Sequence, residues 1–362
     1  MIWILLTLAS ILIALDILLI IGWKFNFKDN THPVENWPGV SIMVAARNEE
    51  GNIEGCLRSL LNLDYPLSKL EILVGDDGST DQTFKIVQNM ASEYNHIQLF
   101  SIKNRTVDGN GKANVLAQLA QHAKGSYYLI TDADITVTED WVKAMLSGLT
   151  ENTGLVTGTS VVDGQGWLAS MQRIDWLNAT GMLKVVSDLN IPVTSMGNNM
   201  LVSREAYEAV GGYESLPFSV TEDLELFNHI KRKYGTINLF SKEVKNRSKA
   251  QNSILDLLKQ RKRWMKGAFG LPVLMIILLL LQSSVLILLV FLLAIEPTLA
   301  LIIILLKFTL RYVFVSMVGG KIEEKVNLIS SFAFEIFNMI FSLMALGYYV
   351  FSGPIVWKER KY

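Results

Sequence analysis

Apolar residues occur along this chain in long unbroken runs near both ends and in short runs in the middle. Met1 to Trp23 is apolar apart from Asp16, and further apolar stretches cover Leu271 to Gly320 and Leu328 to Ser352. About 20 consecutive apolar residues cross the hydrocarbon core of a bilayer. The pattern therefore predicts a transmembrane helix at 1–23 and a transmembrane region at 271–356 that contains two to three segments.

The carboxyl-terminal apolar region contains a turn signal and two basic residues. Pro297 lacks a backbone donor and disfavours helix at Glu296, so this pair predicts the turn between the first two segments. One charge near the bilayer centre costs about 3 kcal/mol. Arg311 is close enough to the segment end to snorkel. Lys307 is deeper, and we expect it to snorkel, to pair with Glu335 or to bind a phosphate.

Basic residues beside the apolar segments predict their orientation. Lys24 and Lys28 follow the first segment, which places the centre of the chain in the cytoplasm and the amino terminus outside. A signal peptide is disfavoured because the run is too long and has neither a basic leader nor a cleavage site. Four full crossings would put the basic tail at 357–362 outside, and one re-entrant or interfacial segment would remove that conflict.

Short apolar runs alternate with helical patterns in the middle of the chain, which predicts an α/β domain at 38–250 with a mostly parallel sheet. The predicted strands are Val40–Ala45, Leu70–Val74, Ile97–Ile102 and Tyr127–Thr131. Acidic or glycine-rich groups follow several of them. Ligands of open α/β sheets bind outside the carboxyl ends of the strands, so this edge is the expected binding site.

Charge and composition exclude several functional classes. The 33 basic and 34 acidic residues leave a net charge of −1, whereas a general nucleic-acid binder carries a basic excess. The single cysteine, Cys56, excludes a disulfide framework and a cysteine-based zinc site.

No G-x-G-x-x-G turn follows the first strand, which disfavours a nicotinamide-dependent oxidoreductase. A transporter is disfavoured because the spans are too few and show no paired repeats.

Carboxylates follow two of the predicted strands. Asp132-Ala133-Asp134 puts two carboxylates on one side of an extended chain, which suits a divalent cation that also binds substrate phosphates. Acidic pairs after strands also occur without a metal. The group Asp76 to Asp81 offers carboxylates that accept hydrogen bonds from a ribose or a base, and it is equally typical of a turn and helix cap.

Two later segments carry further candidate chemistry. Glu222 and Asp223 suit a general base in a cleft, or acids that stabilise the start of a helix. Segment 251–270 has an apolar helical stripe and contains Gln260-Arg261-Lys262-Arg263-Trp264. Its basic face suits an amphipathic helix on anionic lipid. It also suits an arginine that binds a diphosphate beside a tryptophan that stacks on an acceptor.

Taken together, these segments resemble membrane-bound glycosyltransferases of family 2, whose GT-A fold binds nucleotide sugars. The resemblance covers about Ser41 to Lys266. It rests on the order of six groups, which are Val44 to Glu49, Asp76 to Asp81, Gly111-Lys112-Ala113-Asn114, Asp132-Ala133-Asp134, Thr221-Glu222-Asp223 and Gln260 to Trp264. The presence of Asp134, Asp223 and Arg263 in one chain disfavours a non-catalytic membrane scaffold.

The resemblance implies which residues bind the nucleotide-sugar donor. The uridine side of the pocket would be lined by Ala45, Arg47, Glu49 and Asp77, with Asp76 close by. Lys112 would reach the diphosphate and Asp132 would touch the donor. Asp134, with Asp132 as a second candidate ligand, would hold Mn²⁺ or Mg²⁺ against the diphosphate oxygens.

The resemblance also implies the catalytic residues. Asp223 would be the base that takes the acceptor proton, with Glu222 as a second candidate beside it. In the motif that begins at Gln260, Arg263 would contact the diphosphate and Trp264 would form the acceptor platform. A metal and cationic groups stabilise the charge that develops on the leaving diphosphate. One base opposite the leaving group implies inversion at the anomeric carbon.

Two kinds of acceptor fit this layout. Relatives similar to cellulose, chitin or hyaluronan synthases extend a polymer, whereas those similar to ceramide glucosyltransferases add one sugar to a lipid. The small membrane region favours a lipid, as does the tail that begins at Trp357, although Glu359 stands where such relatives usually have glycine. We expect transfer from a UDP-sugar to a lipid at the cytoplasmic face of a bacterial inner membrane, with a polysaccharide synthase as the alternative and the oligomeric state open.

Overall fold

The computed structural model divides the chain into two compact units. It describes residues 2–107, 111–268, 270–271, 273–357 and 360–361. Members of the predicted segments that lie outside the described residues are Met1, 108–110, Phe269, Pro272, Lys358, Glu359 and Tyr362. The helical unit consists of Met1–Lys28, Val162–Val193 and Ala250–Ile355, and the sheet unit of Asp29–Val161, Thr194–Lys249 and Val356–Tyr362. Residues 162–193 of the predicted 38–250 domain therefore group with the membrane segments.

Helices and strands alternate through the middle of the chain. The helices are α1 (Ile2–Phe25), α2 (Ile53–Leu61), α3 (Thr83–Glu93), α4 (Gly111–His122), α5 (Trp141–Leu146), α6 (Trp167–Asp188), α7 (Arg204–Ala209), α8 (Glu222–Ile230), α9 (Ile254–Ala268), α10 (Val273–Ser283), α11 (Val285–Ile295), α12 (Pro297–Lys321) and α13 (Leu328–Phe351). The strands are β1 (Val40–Ala46), β2 (Leu70–Asp76), β3 (Ile97–Ser101), β4 (Tyr127–Asp132), β5 (Ile135–Thr136), β6 (Thr153–Thr157), β7 (Ser160–Asp163), β8 (Met200–Ser203), β9 (Gly235–Asn238), β10 (Asn246–Lys249), β11 (Val356–Trp357) and β12 (Arg360–Lys361).

The main sheet has the strand order β3-β2-β1-β4-β8-β6-β9. Strand β1 is parallel to both neighbours, with Val44 opposite Val74 in β2 and Ala45 opposite Asp132 in β4. Strand β8 is antiparallel to β4 and β6, whereas β2–β3 and β6–β9 pair in parallel. The predicted mostly parallel α/β sheet is confirmed. The chain runs outward from β1 to β3 and returns to β4 on the other side, so the strand order reverses between β1 and β4, where such sheets bind ligands.

Apolar packing on both faces of the sheet holds this edge in place. Ile42 and Val44 of β1 pack into one buried cluster that includes Leu57 of α2. Met43, which points to the opposite face, packs into a second cluster that includes Val115 of α4. Parallel sheets are normally covered on both faces in this way. The faces of the sheet are therefore occupied by apolar packing, which leaves its carboxyl edge as the place where a ligand can reach the strands.

Within the described residues, three helices of the helical unit are long and apolar enough to cross a membrane, namely α1, α12 and α13. Helices α10 and α11 also pass this test as a pair, but they are bent by 44° at their break. That geometry fits a broken span or a re-entrant loop. The stretch predicted as one segment before Glu296 is therefore two helices that meet at Ser284, and Pro297 occupies the first position of α12.

Buried charges connect the apolar helices. Lys307 Nζ lies 2.6 Å from Asp16 Oδ2, and their side chains are 1% and 3% exposed. The expected pairing of Lys307 with Glu335 was therefore wrong, because helix packing brings a different carboxylate against the ammonium. Arg311 does not snorkel either, since it is buried, donates from Nη1 to Asn178 Oδ1 at 2.7 Å and places Nε 3.6 Å from Glu335 Oε2.

Asp16→Leu should lower the melting temperature of the detergent-solubilised protein. It leaves the Lys307 ammonium buried without its nearest carboxylate, and loss of one partner of a buried pair costs about 3–5 kcal/mol. The double variant Asp16→Leu with Lys307→Leu should recover most of the loss, because an apolar pair of similar volume replaces a buried ion pair at little cost. Equal melting temperatures of the single variant and the parent would contradict a stabilising role for the pair.

Candidate active site

The loops after β1 and β2 are joined by hydrogen bonds at the carboxyl edge of the sheet. Arg47 Nη1 donates to the Asp77 carbonyl oxygen at 2.6 Å, and the Glu49 N–H donates to Thr83 Oγ1 at 2.7 Å. Asn48, between them, has φ of 51°, a left-handed conformation that asparagine tolerates better than most residues. Residues predicted for the donor pocket thus lie in two loops that support each other.

Asp76 and Ala45 lie at the base of these loops. Asp76 is 3% exposed, and its Oδ2 accepts a hydrogen bond from the Ser79 N–H at 3.1 Å. Its Oδ1 is buried and has no hydrogen-bond partner among the described residues. Ala45 is paired between Gly75 of β2 and Asp132 of β4, directly at the point where the strand order reverses. The small side chain of Ala45 leaves space for a ligand at this edge of the sheet.

Lys112, near the start of α4, lies between two acids. Its Nζ is 2.5 Å from Asp132 Oδ1 and 3.2 Å from Glu222 Oε1, and it donates to the Gly197 carbonyl oxygen at 3.4 Å. Burial acts to lower the pKa of this ammonium, but the surrounding carboxylates, including that of Asp223, outweigh burial and raise it above its ordinary value. Lys112 is therefore a permanent cation that links β4 to α8.

Asp134 is crowded by other acids. Desolvation, together with the charges of Asp132 and Glu49, raises the pKa of its carboxyl group to about 7. Ser248 Oγ lies 3.5 Å from Asp134 Oδ2, because β10 pairs antiparallel with β5 directly after this residue. A cation bound at this carboxylate would favour its ionised form.

The carboxylates of Asp132 and Asp134 fit a Mn²⁺ or Mg²⁺ ion that takes its remaining ligands from substrate and water. Oxygen ligands are those that hard divalent cations prefer, and Mg²⁺ commonly binds through one or two carboxylates plus phosphate oxygens. Within the described residues, no group of three or more His, Cys, Asp or Glu side chains could hold a metal ion. The fit to a metal therefore rests on the carboxylate oxygens of Asp132 and Asp134 and not on a complete set of protein ligands.

Asp223 and Glu222 begin α8 but have different surroundings. The Gly197 N–H donates to Asp223 Oδ2 at 3.0 Å, and the Leu224 N–H donates to Oδ1 at 2.9 Å. A Cβ atom on residue 197 would lie 2.5 Å from Asp223 Oδ2, so glycine is required for this approach. Asp223 is partly exposed, whereas Glu222 is 7% exposed and paired with Lys112.

Helix α9 of the helical unit carries Gln260, Arg263 and Trp264. Within that unit, the Trp264 ring lies 5.6 Å from the ring of Trp176 on α6, measured between centroids. The Arg261 guanidinium lies 4.5 Å from the centre of the Trp264 ring and forms an ion pair with Asp175. These two contacts thus hold the indole ring in place.

Other basic residues of α9 are engaged within the helical unit as well. Lys259 Nζ lies 3.0 Å from Asp256 Oδ1. Lys262 is 6% exposed and donates to Ser352 Oγ at 2.7 Å and to the Gly353 carbonyl oxygen. The carboxylates of Asp256 and Asp175 thus offset the charges of Lys259 and Arg261, whereas Lys262 bonds to uncharged oxygens.

The sequence profile of glycosyl transferase family 21 matches residues 3–362. The chain belongs to this family. The prediction of a membrane-bound glycosyltransferase, which came from a resemblance to family 2 sequences, is confirmed at the level of the family, and family 21 is the family that matches.

Curated relatives of this family 21 chain act on different acceptors, according to their names. Beta-monoglucosyldiacylglycerol synthase of Nostoc sp. is 28% identical over 242 residues, which cover 64% of this chain and 49% of the relative. Poly-beta-1,6-N-acetyl-D-glucosamine synthase of Staphylococcus epidermidis is 27% identical over 239 residues, which cover 63% and 54%. The chain spans about half the length of these curated relatives.

A solved mannosyltransferase of Pyrobaculum calidifontis, in complex with GDP-Man and Mn²⁺, has the same fold as this family 21 chain. The TM-score is 0.58 at 18% sequence identity, and the match covers 96% of this chain and 99% of the mannosyltransferase. The likeness shows the fold alone. It confirms the predicted GT-A-like α/β architecture with long apolar helices near both ends of the chain.

The structure divides the predicted site residues of this family 21 chain between its two units. The sheet unit holds Ala45, Arg47, Glu49, Asp76, Asp77, Lys112, Asp132, Asp134, Glu222 and Asp223. Contacts through Lys112 bring Asp132 together with Glu222, and the charges of Asp132 and Glu49 act on Asp134. Gln260, Arg263 and Trp264 lie in the helical unit, and their predicted roles remain predictions.

Sequence reasoning missed the residues that support the site. Gly197 and Asn199 lie in the loop before β8, where Asn199 is fully buried and accepts a hydrogen bond from Trp141 Nε1 at 2.9 Å. The letters Gly-Asn-Asn before an apolar strand are a turn signal that could have drawn attention to this loop. Ser248 beside Asp134 carries no local signal, because only the pairing of distant strands brings it there.

Asp175→Asn should change the environment of Trp264, because it removes the carboxylate that pairs with Arg261 over the indole ring. The eight tryptophans can be replaced by 5-fluorotryptophan, and fluorine NMR then reads the Trp264 signal, assigned by its loss in Trp264→Phe. Asp256→Asn, which removes the exposed partner of Lys259 on the same helix, is the matched control and should leave that signal in place. An unchanged Trp264 signal in Asp175→Asn would show that the pair does not position the ring.

Proposed function

We propose that this protein is an inverting glycosyltransferase that moves a sugar from a nucleotide sugar, with UDP as the expected nucleotide, to a membrane lipid. The catalytic residues would act at the cytoplasmic face of a bacterial inner membrane. The observation that carries the proposal is the contact chain from Asp132 through Lys112 to Glu222 at the edge where the strand order reverses. It joins a donor-binding acid to the helix that carries the candidate base.

The donor nucleotide would bind against the two joined loops. Ala45 lies near the end of β1 and Asp76 ends β2, and Arg47, Glu49 and Asp77 follow these two adjacent parallel strands. The buried Asp76 Oδ1 has no partner among the described residues and can accept a hydrogen bond from a ligand. This supports the assignment of the loops to the nucleoside.

The leaving diphosphate would be neutralised by Lys112 and by Mn²⁺ or Mg²⁺ at Asp132 and Asp134. A bound divalent cation would stabilise the negative charge on the leaving diphosphate. Crowding of Asp134 by Asp132 and Glu49 supports this placement, because an excess of carboxylates is relieved by a cation. Lys112 supplies the nearby fixed positive charge.

Asp223 is the better candidate for the base than Glu222. The Glu222 carboxylate is buried and paired with Lys112, whereas Asp223 is partly exposed and is oriented by the Gly197 N–H. Asp223 would take the acceptor hydroxyl proton as the hydroxyl oxygen bonds to the anomeric carbon. The bond from that carbon to the diphosphate oxygen breaks with inversion, and the nucleoside diphosphate leaves with the electron pair.

A lipid acceptor is favoured over a growing polysaccharide. The described helices provide three candidate spans, or four if the bent pair is one span, which makes a thin wall for a polymer channel. Relatives in three cyanobacterial strains are named for a glucosyldiacylglycerol product. The alternative, a polysaccharide synthase, is supported by the staphylococcal relative. On the motif alone, we assign Gln260 and Arg263 to donor binding and Trp264 to acceptor binding.

Asp223→Asn should reduce transfer by about 10²- to 10⁴-fold, the usual contribution of a general base. UDP binding, measured by calorimetry with Mn²⁺ present, should stay near the parent value. Asp64→Asn is the matched control, since Asp64 is exposed in the same unit and pairs only with Lys143 in the contacts described. Transfer by Asp223→Asn at the parent rate would exclude Asp223 as the base.

Asp134→Asn should abolish the metal dependence of donor binding. In the parent, chelation with EDTA should weaken binding of the UDP-sugar, and Mn²⁺ should restore it. Titration of UDP with and without Mn²⁺ should give the same weak affinity in the variant, because one of two carboxylate ligands is gone. Asp140→Asn, an exposed aspartate a few residues downstream, should behave like the parent. A normal Mn²⁺ response in Asp134→Asn would place the metal elsewhere.

A further inference from the structure

Tyr213 has a buried hydroxyl group without a hydrogen-bond partner. The residue is 2% exposed and its hydroxyl oxygen has no partner among the described residues. Its position is nevertheless well defined, because its N–H donates to Tyr207 Oη at 3.1 Å and the two rings meet edge to face with centroids 5.8 Å apart. Buried polar groups are almost always paired in folded proteins. This one therefore requires an explanation.

The surroundings of Tyr213 form a small cavity that is partly open to solvent and has room for about one water-sized group. Tyr213, Leu216 and Phe218 give it apolar and aromatic walls, and Glu222 places a carboxylate beside them. A cavity of this size can take one hydroxyl group of a ligand, and the rest of that ligand would lie outside it. Aromatic faces and carboxylates are also the groups that sugar rings and their hydroxyls commonly contact.

The charges around Tyr213 keep its hydroxyl protonated. Burial raises its pKa well above the ordinary value, and the carboxylates of Glu222, Asp223 and Asp132 act in the same direction. The phenol is thus a hydrogen-bond donor at any working pH. Glu222 is itself tied to Lys112, so Tyr213 adjoins the contact chain that joins the donor-binding acid to the candidate base.

We propose that the Tyr213 hydroxyl binds a substrate hydroxyl group, which sits in this cavity and is shared with the Glu222 carboxylate. A substrate alcohol can accept a hydrogen bond from the phenol and donate one to the carboxylate, so it satisfies both groups at once. The inference rests on the proposed function and extends it, since it makes Tyr213 a specificity-determining residue. The hydroxyl belongs either to the transferred sugar or to the acceptor.

The variant Tyr213→Phe tests the proposed hydrogen bond to substrate, because it removes only the hydroxyl oxygen of Tyr213. Because the hydroxyl has no protein partner, its removal should leave the melting temperature equal to or above that of the parent. The kcat/KM for transfer from UDP-glucose to diacylglycerol in mixed micelles should fall about tenfold, the size expected for one substrate hydrogen bond. Binding of UDP alone should not change.

Two assays identify the source of the hydroxyl. If it belongs to the donor sugar, hydrolysis of UDP-glucose without acceptor falls as much as transfer does, and discrimination between UDP-glucose and UDP-galactose weakens. If it belongs to the acceptor, hydrolysis is unchanged and the KM for diacylglycerol rises. Tyr128→Phe, which removes the hydroxyl of another buried tyrosine of the same cluster, is the matched control and should match the parent in both assays.

Failure of the proposed role of Tyr213 can be distinguished from failure of the proposed glycosyltransferase function. A parent that transfers sugar while Tyr213→Phe matches it in kcat, KM and hydrolysis overturns the role of the hydroxyl and leaves the transferase assignment standing. A Tyr213→Phe protein that melts below the parent would show that the hydroxyl is structural, which also overturns it. A parent with neither UDP binding nor transfer contradicts both.

Discussion

The Lys112 ammonium lies between the carboxylates of Asp132 and Glu222, and the arrangement of the sheet unit's polar edge depends on it. Two acids from different elements repel each other unless a cation lies between them, and the repulsion grows as water is excluded. With Lys112 in place, β4 and α8 can bring their acids to one edge. In the proposed function, the same ammonium would also bind the diphosphate of a donor. Lys112 would then both hold the two acids together and bind substrate.

Fold topology explains why so many chemical groups meet at this edge. Strands β1, β2 and β4 are adjacent and parallel, so the residues that follow them emerge on the same side. Both faces of the sheet are covered by apolar packing, which leaves the strand ends as the place for polar groups. Gly197 completes the arrangement, because a larger residue would collide with the carboxylate of Asp223.

In the helical unit, too, buried charges lie beside groups of opposite charge, here among apolar helices. Lys307 and Asp16 come from helices at opposite ends of the sequence and neutralise each other while almost fully buried. Arg311 reaches Asn178 of α6, a helix that the alternating pattern had placed within the soluble domain. The segment of that domain that includes α6 therefore folds with the membrane helices. Trp176 of α6 packs against the tryptophan of α9, and Asp175 of α6 pairs with the arginine that covers the same ring.

The sequence by itself determined the apolar spans, the mostly parallel sheet and the acids after its strands, because each of these depends on residues that are close together in the chain. Asp132 and Asp134 are a local pattern of this kind. Tertiary structure decided the rest. The partner of Lys307 is 291 residues away, and Gly197 approaches Asp223 across 26 residues. Such contacts depend on which distant elements pack together, and a local pattern contains no information about that choice.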